Sequence, residues 1–102
     1  MTLPKITESM IRAGASPESF RRGEEYYREG AISNTTLQGA LLSGERAGTY
    51  APYYRVQVAL DEAGIADASC TCLYEYGGYC KHIIALLLAY LHHPKSFTVR
   101  KE

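Results

Sequence analysis

The chain has no tryptophan, few prolines and no excess of either charge: eleven Lys and Arg stand against eleven Asp and Glu over 102 residues. That balance denies it the basic excess on which a strong non-specific grip on nucleic acid depends, while leaving room for a local basic face. No part of the N-terminus, MTLPKITESM, is apolar over the length of a signal peptide. The longest apolar run, IIALLLAYL, has nine residues (83–91), whereas a membrane-spanning helix needs about 20. A buried core helix follows, and no membrane partner is expected. Three cysteines make an odd count with no secretory signal, which argues against a disulfide framework and for a reducing, cytoplasmic compartment. The phosphate-cradling pattern G-x-x-x-x-G-K-[ST] is absent, and no residue pattern offers a small-molecule substrate site. The expectation is a binding module, not an enzyme. Internal repeats and low-complexity tracts are also lacking.

What is there suits one α+β domain over residues 1–102. Residues 6–15 predict a short helix capped by Thr7. Residues 16–30 predict a second, with Ser16 as N-cap, Pro17 in the first position, Glu18 at the positive end and Gly30 as the stop. Gly23 inside this helix costs about 1 kcal/mol relative to alanine, which points to close approach of another element. Residues 31–38 and 40–48 flank Gly39 as a first hairpin. In YYRVQVAL, Val56, Val58 and Leu60 alternate with Arg55 and Gln57, the period of a half-buried strand. Residues 61–64 read as a tight turn, and IADASCTC returns as a fourth strand. Connections this short predict a small antiparallel meander. Residues 81–92 predict a C-terminal helix, apolar over most of its circumference and stopped by Pro94. The tail SFTVRKE carries Phe97 and Val99 without an evident surface to cover them, which suggests a fragment of a longer protein.

All three cysteines fall within eleven positions, in the pattern C-x-C-x7-C-x-H formed by Cys70, Cys72, Cys80 and His82. Residues i and i+2 of a strand share a face, so Cys70 and Cys72 present both sulfurs on one side. Gly77 and Gly78 let the chain turn back. Cys80 and His82 then open the apolar helix, whose positive end favours a thiolate. Three thiolates and one imidazole complete a closed tetrahedral zinc site of the structural type. A cysteine on its own reads as a small buried hydrophobe. Iron–sulfur ligation is disfavoured by the histidine, and a catalytic Cys–His pair by the absence of a substrate pocket.

With CKHIIALLLAYL continuing as helix, these four residues resemble the SWIM zinc finger family, whose pattern is C-x-C, a variable loop and C-x-H. The upstream FRRGEEYYREGAI and YRVQVAL are similar to N-terminal regions of bacterial SWIM proteins, some of which carry a Swi/Snf-type helicase-like ATPase. The resemblance implies zinc as cofactor and recognition of DNA or protein as function, accessory to such an ATPase. The alternative is a purely structural domain that docks on a protein surface without touching nucleic acid.

Nine tyrosines mark further candidates. Tyr74, Tyr76 and Tyr79 of the cysteine loop, with Lys81 between two ligands, form a candidate surface for nucleic acid or a partner. The competing reading is that these rings pack around the loop and that Lys81 offsets thiolate charge. Tyr50, Tyr53 and Tyr54 raise the same choice before the third strand. Arg21, Arg22 and Arg28 stand among Glu24, Glu25 and Glu29, as on a solvated helix face. His92 and His93 close the last helix, where cations suit its dipole.

Overall fold

The structure is a computed structural model, and it describes residues 6–47, 53–62, 64–71 and 78–100. Two short helices begin it. Helix α1 spans Glu8–Ala13, and the Thr7 hydroxyl accepts the Met10 amide at 3.2 Å. Helix α2 spans Pro17–Arg28, capped in the same way by Ser16, which accepts the Ser19 amide at 3.1 Å. Each cap satisfies an amide that the first helical turn leaves without a partner. Gly30 follows the end of α2 at φ +67°, a left-handed conformation that costs glycine nothing.

Four antiparallel strands come next: β1 Ser33–Gln38, β2 Leu41–Ala47, β3 Tyr53–Asp61 and β4 Gly64–Cys70. They run in the predicted meander order. Helix α3, Lys81–His92, then lies across the sheet, and a 3-10 turn at Pro94–Ser96 ends it. A fifth strand, β5 Thr98–Arg100, joins the sheet parallel to β1 and gives the order β4-β3-β2-β1-β5. The sheet is therefore mixed, one strand wider than the meander. Phe97 does find a surface: it is 4% exposed and meets Tyr90 edge-on at 5.5 Å. Val99 remains 75% exposed.

The core lies between one sheet face and the helices. Val56, Val58 and Leu60 of β3 and Leu42 of β2 point inward, and α3 packs between this face and the pair α1 and α2. Every residue from His82 to Leu88 is buried. Full burial of such a side chain contributes roughly 1.5–3 kcal/mol, so α3 is the element around which the rest condenses. On α2, Arg21–Glu25, Arg22–Glu18 and Arg28–Glu24 pair one helical turn apart, at 3.0 to 3.5 Å. This is the solvated face that the charge pattern predicts, and such exposed pairs add little stability.

Candidate metal centre

The inward parity of β3 sets the site. Val56 pairs with Cys70, so Cys70 lies on the buried face at the end of β4. The strand end is pinned: the Thr71 amide donates to the Arg55 carbonyl at 3.1 Å, and the Arg55 amide donates to the Thr71 hydroxyl at 2.9 Å. Cys72, Tyr74, Tyr76 and Gly77 lie outside the described residues. The returning chain is anchored on the corner between α1 and α2, where the Tyr79 amide donates to the Gly14 carbonyl at 2.8 Å. Gly78, at φ +70°, passes so close that a β-carbon would stand 2.7 Å from the Gly14 carbonyl oxygen. Glycine is therefore required there both for its conformation and for the approach.

Cys80 is the N-cap residue of α3 and His82 lies in its first turn; they are 2% and 3% exposed. One ligand atom from each of Cys70, Cys80 and His82 lies within 4.8 Å of the others. Sulfurs on a tetrahedral zinc stand about 3.8 Å apart, so the donors are gathered at nearly metal-binding range. Cys80 stands at the N-terminal end of α3. Two soft sulfurs and an imidazole in a buried seam suit zinc, and the metal would tie the last long strand to the central helix.

Residues 54–91 match the SWIM zinc finger family. The match runs from β3 through β4 to α3, the elements that carry the cluster. The chain is also 36% identical over 81 residues to an uncharacterized protein of Methanocaldococcus jannaschii, covering 79% of this chain and 32% of that protein. It is 28% identical over 96 residues to zinc finger SWIM domain-containing protein 8 of human, covering 86% of this chain and 5% of that protein. The protein of the same name in cattle gives the same identity over 6% of its length. The chain thus spans about a third of the archaeal relative and a small part of the vertebrate ones. No solved structure matches. Family match and donor cluster together support a zinc-binding SWIM segment.

The structure separates the other candidates. Tyr79 is half-buried, with its ring on Gly14 where a β-carbon would sit, and burial pushes its phenol pKa up. Lys81 places its ammonium 5.0 Å from the Tyr26 ring centre. His92 and His93 are at the far end of α3, against Tyr27 at 5.5 and 6.1 Å. Around His82, the sequence raises Tyr54 as a ring that packs near the loop but does not single out Tyr26 or Arg46. Tyr54 of β3 lies 5.2 Å and Tyr26 of α2 lies 5.5 Å from its ring, and Arg46 of β2 stands 5.1 Å over Tyr26. A signal existed. Tyr54 has the inward parity of Val56, and Tyr26 is one turn beyond Gly23, which faces α3. No described helix is long and apolar enough to cross a membrane.

Proposed function

We propose that this chain is a structural zinc module whose work is recognition, with Cys70, Cys72, Cys80 and His82 as the four ligands. The observation that carries the reading is the convergence of Cys70, Cys80 and His82 at the seam between β4 and α3. Cys72 follows Cys70 by two residues in the sequence and completes the C-x-C half of the motif. Zinc bound there supplies folding energy and no chemistry of its own, so the module is not an enzyme. Recognition centres on Lys81 and the loop tyrosines Tyr74, Tyr76 and Tyr79, and the partner is DNA, held weakly, or a protein. Lys81 holds its ammonium over Tyr26 at the metal end of the molecule, whereas three arginines of α2 are paired with glutamates. The whole protein is longer, cytoplasmic, and built around a helicase-like ATPase that this domain serves.

A second reading is intramolecular docking on a larger parent chain. It draws on the small share of each relative that the chain covers. The experiment is a titration of the zinc-loaded chain with short single-stranded and duplex DNA at two salt concentrations, with chemical-shift mapping. The nucleic-acid reading expects weak binding that falls steeply with salt, and shifts around Lys81. Shifts confined to Arg21, Arg22 and Arg28 overturn that placement, and no shifts at all overturn nucleic-acid recognition in favour of docking.

A further inference from the structure

We propose that His82 binds the zinc through Nδ1, and that Tyr54 is a positioning residue that holds the imidazole in this orientation. The inference rests on the zinc reading above and goes on to the ligating atom.

Zinc bonds of about 2.3 Å to sulfur and about 2.0–2.1 Å to nitrogen, at a tetrahedral angle, set an S···N edge of about 3.5 Å. Cys70 Sγ and His82 Nδ1 are 3.6 Å apart. One edge of the coordination tetrahedron is therefore already in place, and Nδ1 forms it. The backbone explains why. His82 follows Cys80 by two residues, in the first turn of a helix packed close to β4. Nδ1, next to the side-chain stem, fits the short distance.

The ring is also held. His82 is 3% exposed. Tyr54 lies against it at 35° between ring planes, and Tyr26 at 59°. A buried imidazole flanked by two rings has little room to turn. Hydrogen-bonding groups that orient a metal-bound histidine typically set its affinity by about 10- to 100-fold, and a packed ring that restricts the imidazole acts in the same direction. Ligation at Nδ1 leaves the proton on Nε2, which fixes the tautomer.

The test uses the full chain loaded with NMR-active cadmium in place of zinc. Through Nδ1 the metal is three bonds from the Hε1 proton and four from Hδ2. Through Nε2 it is three bonds from both. The expected spectrum shows coupling to Hε1 of His82 without Hδ2. Comparable coupling to both protons overturns the inference and leaves the zinc reading standing, whereas failure to bind cadmium or zinc at all overturns both. Chelator competition then tests Tyr54. Tyr54→Ala is expected to lose about 10- to 100-fold in zinc affinity, with Tyr54→Phe restoring it because the ring is kept. Tyr90→Ala, which removes a ring packed on Phe97, should leave affinity unchanged. Equal affinity for Tyr54→Ala and the parent chain removes the positioning role. If Tyr54→Ala does not fold, the coupling pattern in Tyr54→Phe decides: loss of the Hε1-only pattern there overturns the assignment to the ring.

Discussion

Ile84 fills the space that a β-carbon on Gly23 would need. A methyl group there would overlap the Cβ and Cγ2 of Ile84 and come within 3.1 Å of the Lys81 carbonyl oxygen. The contact brings α2 against the first turns of α3, and it is what seats Tyr26 beside His82. A glycine that weakens its own helix thus fixes the spacing of the helix layer next to the metal centre.

Gly23→Ala should therefore destabilise the protein although it improves helix propensity. The propensity gain is about 1 kcal/mol. Overpacking against a fully buried residue costs about 1–3 kcal/mol, and a carbonyl has little room to retreat. A lowered urea midpoint is the expected result. A midpoint equal to or above that of the parent chain would show that Ile84 gives way.

Cys80→Ser and His93→Ala should part company. Cys80 is buried at the head of α3 and takes a ligand position, whereas His93 closes the other end of the helix. Metal analysis should find bound zinc in the histidine variant and little in the cysteine variant. Zinc binding is worth on the order of 10 kcal/mol in small zinc modules, so chelator treatment of the parent chain should resemble the cysteine change. The histidine variant should lose no more than about 1 kcal/mol. Equal metal content and equal melting temperatures would contradict this division.

Phe97→Ala and Val99→Ala test the fifth strand. Phe97 is almost fully buried against Tyr90, and truncation of such a ring typically costs about 3–5 kcal/mol. Val99 is exposed, and its truncation should stay within about 0.5 kcal/mol. Similar losses from the two variants, read by thermal melting, would mean that β5 contributes through its backbone pairing with β1 and not through its anchor.

Much of the frame was legible because its signals are local. Ser16, Pro17 and Gly30 bound α2 by capping chemistry that a few neighbouring residues settle among themselves. The alternation at Val56, Val58 and Leu60 assigns the inner face of β3. The tail was not legible: a three-residue strand has too few side chains to show a period, and its parallel pairing with β1 comes from where the end of α3 delivers the chain.

By itself the sequence determined the chemistry of the candidate centre, because thiols and an imidazole at strand and helix spacing select a soft tetrahedral cation whatever surrounds them. It also determined that α3 is buried, since a helix apolar on nearly all sides has no face to give to water. Tertiary structure alone decided which atoms meet. The pairing of Val56 with Cys70 puts Cys70 on the inner face, the close approach at Gly23 brings Tyr26, and together they turn Nδ1 of His82 toward Cys70. Each of these contacts joins residues far apart along the chain. Their distances are set by sheet register and helix packing, which depend on the whole core and not on any short stretch within it.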